Sequence, residues 1–214
     1  MQKFSTDQIA ELEKHFRIKL INSLVGYKSL NLLGTMSNGQ VTNLCVVSSA
    51  FHLGANPPLI GLVMRPEREH NDTLRNIRET GQFTLNNVLP DWYKQAHQTS
   101  ASYPSGISEF DACGFEHYYI PGFQAPFVRQ STVRIGLQLR QTIDMEINGT
   151  TIVVGEIMEI AIDDDLLGSD GTINHVKAKT MTVAGLDAYF IPQAVGRLTY
   201  AKPDTEPGEL DMEK

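Results

Sequence analysis

Cysteine is scarce in this chain. Cys45 and Cys113 are the only two in 214 residues. That excludes a disulfide framework and a structural zinc centre. There is no Cys-x-x-Cys, and no two of the six histidines (15, 52, 70, 97, 117 and 175) stand four apart. The sequence therefore predicts no catalytic metal. Basic residues are outnumbered, 18 against 25 acids, for a formal charge of −7. Such a balance excludes a broad non-specific nucleic-acid surface. No stretch approaches the roughly 18 apolar residues of a spanning helix. The first residues mix acids and bases at helical spacing without an apolar core, so no secretory leader is expected. We expect a cytoplasmic protein without membrane or nucleic-acid partners. The Gly-x-Gly-x-x-Gly fingerprint, the P-loop and the Gly-x-Ser-x-Gly elbow are all missing, so common nucleotide and nucleophile sites have no support.

What is present is a folding composition. Hydrophobic residues make up 41% and charged residues 20%, and the length suits one large domain with its own core. Ile9, Leu12, Phe16 and Leu20 recur at helical spacing behind Ser5, Thr6 or Asp7 as caps, predicting an amphipathic N-terminal helix broken before Asn22. Residues 27–36 and 41–47 read as a strand pair around Ser37-Asn38-Gly39-Gln40, with Asn-Gly supplying the positive φ. Leu59 to Met64 is nearly all apolar and predicts a central strand. Asn71 or Asp72 caps a short helix that Gly81 ends, and residues 83–88 form a strand. Residues 91–122 are irregular and aromatic, an excursion covering a pocket or a partner surface. Two long strands then flank Asn148-Gly149, running from 132 to 147 and from 151 to 160. A last strand lies within 187–191, and 202–214 reads as a loose polar tail. Helices do not alternate with strands, so an antiparallel barrel is favoured over a doubly wound sheet.

Residues 42–76 carry the most informative polar pattern. Thr42 and Asn43 interrupt an apolar strand that ends at Ser48 and Ser49. Arg65, Arg68, His70, Asn71 and Thr73 lie between a strand and a helix start, where hydroxyls, cations and backbone donors suit an anion. Caps, turns and solvated charges explain the same residues, and Asn43 could simply satisfy a barrel backbone. Asp163-Asp164-Asp165 and Asp170-Gly171 do not match a calcium loop. Cys45, on an apolar strand, reads as a buried thiol.

Several segments in order resemble the flavin reductase-like family, the FMN-binding split barrel. They are the strand with Asn43, Ser48-Ser49-Ala50-Phe51, Asn56-Pro57-Pro58, the run from Asn71 to Phe83, Glu109 to Phe115, Val154-Gly155-Glu156-Ile157, and Asp170-Gly171. The resemblance covers about residues 22–200. It implies a mainly β fold, a six-stranded antiparallel split β-barrel with peripheral helices, that forms a homodimer. Residues 1–21 would then be a helical extension and 201–214 a tail. It implies FMN as cofactor, with Ser48, Ser49, Ala50, Phe51 and His52 along the isoalloxazine, Asn43 positioning the flavin, and Arg65, His70 and Thr73 toward the phosphate. Arg68 would face solvent. The implied activity is hydride transfer from NADH or NADPH to flavin, with no side-chain catalyst required and an oxygenase among the acceptors. One departure stands out: many reductases of this family carry a histidine in the hairpin before Gly155, whereas Ile147 to Ile152 holds none. That leaves an FMN-binding protein without reductase turnover as the alternative.

Overall fold

The computed structural model describes residues 1–66, 72–104 and 106–211. In chain order the elements are α1 (Thr6–Glu11), α2 (Lys14–Ser23), β1 (Tyr27–Ser29), β2 (Asn31–Met36), β3 (Thr42–Val47), β4 (Ala50–Ala55) and β5 (Pro58–Met64). There follow α3 (Asp72–Thr80), β6 (Gln82–Asn87), α4 (Tyr93–Gln98), α5 (Glu109–Cys113), β7 (His117–Tyr118) and β8 (Phe127–Val128). The chain ends with β9 (Val133–Met145), β10 (Thr150–Ile162), β11 (Thr182–Ala184), β12 (Ala188–Phe190), β13 (Arg197–Leu198) and β14 (Glu209–Leu210).

The main sheet is antiparallel and has seven strands in the order β3-β2-β6-β9-β10-β5-β4. Its two edge strands, β3 and β4, are consecutive in sequence and joined only by Ser48 and Ser49. A trans chain advances about 3.6 Å per residue at most, so Val47 and Ala50 lie within about 11 Å. The sheet must therefore roll until its edges meet at this link. No ladder bonds join β3 to β4 among the described residues, so a seam is left. The expected six-stranded closed count is thus corrected to seven strands with an unpaired seam. The additional strand is β4. The sequence reads no strand between Ser49 and Leu59, but Ala50 packs inward while Phe51 and Leu53 face out. For the same reason β5 lies one strand from the edge rather than at the centre.

Strand β2 is buried on both faces. Leu33 joins Leu62, Phe83, Leu85, Leu137 and Val153 in an inner core, into which α3 inserts Leu74 and Ile77. Leu32 and Leu44 face an outer core with Trp92, Phe110, Phe115, Val128 and Met181. The aromatic excursion is therefore a second packing layer, and Trp92 meets Phe115 edge-to-face at 5.2 Å. A small sheet, β1-β11-β12, stands beside it; β11 has no alternating apolar run long enough to be legible.

Local details correct several expectations. In the first hairpin Gln40, not Asn38 or Gly39, takes the positive φ of 62°, and its N–H donates to Ser37 O at 2.9 Å. The second hairpin follows the sequence, with Gly149 at φ 71°. The N-terminal segment is two helices parted at Leu12 and Glu13, with a Ser5–Gln8 capping box on the first and Asn22 inside the second. Neither helix has a buried residue. The polar tail is not wholly loose, because β14 pairs with β13 across the expected boundary at 200.

Candidate functional site

The seam is where this fold offers unspent backbone chemistry. Edge strands leave alternate N–H and C=O groups without sheet partners, and here two edges face each other across two residues. Some of those groups are already used. Ser49 Oγ donates to Val63 O at 2.7 Å, Val63 N–H donates to Ser49 O at 3.4 Å, and Ser29 Oγ donates to Ala50 O at 3.0 Å. The Ser48 hydroxyl makes no hydrogen bond with a described residue and is half-buried. Ala50 turns its methyl into the inner core, so only its main chain can meet a ligand. Phe51 lies on the outer face over Gly61, where a Cβ would fall inside the Phe51 ring. Its ring is 41% exposed. His52 is exposed on β4.

Arg65 follows β5 directly, on the side where β5 runs beside Ser49 and Ala50. It makes no hydrogen bond or ion pair with a described residue. His70, the second residue expected near the phosphate, lies outside the described residues, as does Arg68. Thr73, the third, is in the first turn of α3 and only 3% exposed. Its hydroxyl is committed inward, donating to Asn43 Oδ1 at 2.7 Å.

Asn43 belongs to the same buried network. Its Oδ1 also lies 3.3 Å from Thr35 Oγ1, and its Nδ2 donates to Glu109 Oε2 at 2.8 Å. Glu109 Oε2 accepts the Leu44 N–H as well, at 3.0 Å. Leu44 is on an edge strand, and its outward N–H would otherwise be orphaned in the outer core. Glu109, at the start of α5, thus pins the aromatic excursion to β3. Burial pushes the Glu109 carboxyl above its ordinary value, opposed by the Leu44 and Asn43 donors. The Asn43 side chain is therefore spent on fixing α3 and α5 to β3. Its three partners are all side chains rather than the barrel backbone. No sequence signal joins positions 43 and 109.

Cys45 sits 3.4 Å from Thr73 Oγ1. Burial raises its pKa to about 11, so it is an inert thiol at neutral pH. Two of the clustered acids are engaged in ion pairs, Asp165 with Lys177 at 2.9 Å and Asp170 with Arg197 at 2.6 Å. A separate cavity of about 130 Å³ is lined by Ser37, Thr42, Asp72, Arg75, Asn76 and Ile107 among others. Asn76 Oδ1 is buried without a hydrogen-bond partner among the described residues.

These features are the frame of a known family. The model for the flavin reductase like domain matches residues 28–180, and the chain belongs to the flavin reductase-like, FMN-binding split-barrel family. A split-barrel flavin-reductase candidate from Shewanella frigidimarina NCIMB 400 is 43% identical and superimposes with a TM-score of 0.91, covering 94% of this chain and 100% of that one. Nitrilotriacetate monooxygenase component B from Bacillus cereus shares the fold at 20% identity, with a TM-score of 0.81 over 92% of this chain and 98% of that one. An uncharacterized protein of Deinococcus radiodurans is 23% identical over 211 residues, 91% of this chain and 90% of its own length. At the level of the family, a flavin-binding oxidoreductase role is supported.

Proposed function

We propose that the chain is an FMN-dependent oxidoreductase that takes hydride from NADH or NADPH onto the flavin. The observation that carries this reading is the seam: two open sheet edges meeting at Ser48-Ser49, with the Ser48 hydroxyl and the Arg65 guanidinium beside them making no hydrogen bond or ion pair among the described residues. The residues fit the group. A flavin ring presents hydrogen-bonding atoms along its pyrimidine edge, and the Ser48 hydroxyl with the main-chain groups at 48–50 that Val63 and Ser29 do not engage are complementary to them. When bound, FMN supplies the hydride and electron chemistry. The chain's own part is to orient and to shield. Ser48 and the Ser49–Ala50 main chain hold the ring edge, Phe51 limits solvent access, and Arg65 draws the phosphate end. The first turn of α3 adds backbone donors and a favourable dipole for that anion. Thr73 serves by holding that turn to Asn43.

The active unit is proposed to be a homodimer. The outer sheet face exposes Phe51 at 41%, Val63 at 37% and Ile143 at 41%, and the N-terminal helices bury nothing within the chain. An oxygenase is one acceptor class, since the Bacillus cereus relative is by name a monooxygenase component. The second reading, FMN binding without turnover, is favoured by the turn at Asn148-Gly149, which lacks the histidine found in many reductases of this family. Anaerobic titration of the protein with FMN and then NADH or NADPH decides. Bleaching at about 450 nm supports the reductase, binding without bleaching supports the second reading, and no flavin binding refutes both.

A further inference from the structure

The small sheet β1-β11-β12 has two unlike faces. On one, Val183 is buried in the outer core and Tyr189 packs against it. Side chains alternate along a strand, so the cross-strand partners on the other face form two rows: Tyr27, Ala184 and Ala188, then Ser29, Thr182 and Phe190. This second face is open, with Tyr27 67% and Phe190 38% exposed. The two rings meet edge to face at 4.9 Å and 68° across β11, where Thr182 and Ala184 are small enough to leave room for them. Ser29 ties the face to the seam, its Oγ donating to Ala50 O at 3.0 Å, and Tyr27 stands about 7 Å further along β1. A single exposed ring needs no explanation. Two rings fixed against each other beside the seam present faces and edges that a third aromatic ring packs against. Thr182 adds an independent sign. Its Oγ1 is buried with no hydrogen-bond partner among the described residues. It is an unspent polar group in the same row as Ser29 and Phe190, and a polar substituent on a ligand would satisfy it.

We infer that Tyr27 and Phe190 form an aromatic subsite, bordering the seam, for a planar ring with a polar substituent on the molecule that exchanges hydride with the flavin. This rests on the flavin reading above and adds to it two residues that no pattern in the sequence joins. The ring belongs either to the nicotinamide nucleotide, which carries a carboxamide, or to an aromatic acceptor, and the two sources separate experimentally.

The test uses the full chain loaded with FMN, the variants Tyr27→Ala and Phe190→Leu, and dissociation constants for NAD⁺, NADP⁺ and 4-nitrobenzyl alcohol. The oxidised nucleotides bind without reducing the flavin. Phe190→Leu keeps apolar cover and removes only the ring. Each variant should weaken a nucleotide, the alcohol or both by about three- to tenfold. The FMN constant and thermal stability should stay near wild type, and Tyr27→Phe should keep full binding. A loss for the nucleotides alone assigns the ring to the donor, and a loss for 4-nitrobenzyl alcohol alone assigns it to the acceptor. Loss of both means that donor and acceptor use the subsite in turn. Should Tyr27→Ala fail to fold, Phe190→Leu decides alone. If wild type binds no FMN, the flavin reading fails; the subsite then stands only if the FMN-free protein binds one of these probes and Phe190→Leu weakens it. Probe constants equal to those of wild type, or an equal loss for FMN, overturn the subsite. A light-scattering mass that falls toward monomer in either variant also overturns it, by making the pair a contact between two copies.

Discussion

Asn43→Ala separates a structural residue from a ligand residue. The substitution removes the Nδ2 donor to Glu109 at 2.8 Å and the Oδ1 acceptor used by Thr73 at 2.7 Å and Thr35 at 3.3 Å. A hydrogen bond to a charged group contributes about 1.5–3 kcal/mol, and each hydroxyl left without an acceptor costs about 1 kcal/mol more. The expected loss is about 3.5–5 kcal/mol, since Thr35, Thr73 and Glu109 are 0%, 3% and 8% exposed. The loss should also depend on pH. Burial raises the Glu109 carboxyl above its ordinary 4.5, so the folded state holds this proton more tightly than the unfolded chain. Protonation of Glu109 accordingly favours the fold at low pH, and that contribution is lost as pH rises through the raised folded value. The Asn43 bond counts most when Glu109 is ionised, so the deficit should be larger at about pH 8 than at about pH 5. Urea unfolding at both pH values measures it, with FMN affinity determined on the folded variant. A destabilisation below about 1 kcal/mol together with a tenfold loss of FMN affinity would refute the reasoning and make Asn43 a flavin ligand.

Three further outcomes follow from the same geometry. Gly61→Val places a side chain inside the Phe51 ring and should lower stability by about 1–3 kcal/mol in thermal or urea unfolding. Phe51→Ala in the same background should recover part of that loss, and no recovery would mean the ring is not the obstacle. Cys45 should resist iodoacetamide in the native protein at about pH 8 and react on unfolding, read by peptide mass spectrometry; native labelling would contradict the raised pKa. Removal of residues 1–25 should shift light-scattering mass from dimer toward monomer, and an unchanged dimer would restrict the interface to the sheet face.

Much of the β architecture was legible because period-2 alternation and Asn-Gly turns are local signals. The hairpin at Asn148-Gly149 and the helix ended by Gly81 both stand where the pattern puts them. β4 was hidden because Ser48, Ser49 and the Asn56-Pro57-Pro58 turn bracket a run too short to show its own period. The count of six strands failed with it. At the site, the sequence brought Ser48 to His52 and Arg65 together through the resemblance. It could not show that Asn43 and Thr73 spend their side chains on each other, since the partner that decides this, Glu109, is distant in the chain.

Hydrogen–deuterium exchange with and without FMN shows whether the seam between β3 and β4 is the flavin site. Exchange should slow for the amides of Val47 to Phe51 and of Val63 to Arg65, with less protection when riboflavin replaces FMN at Arg65 than at Ser48. FMN binding that protects other segments while leaving 47–51 unchanged would contradict it.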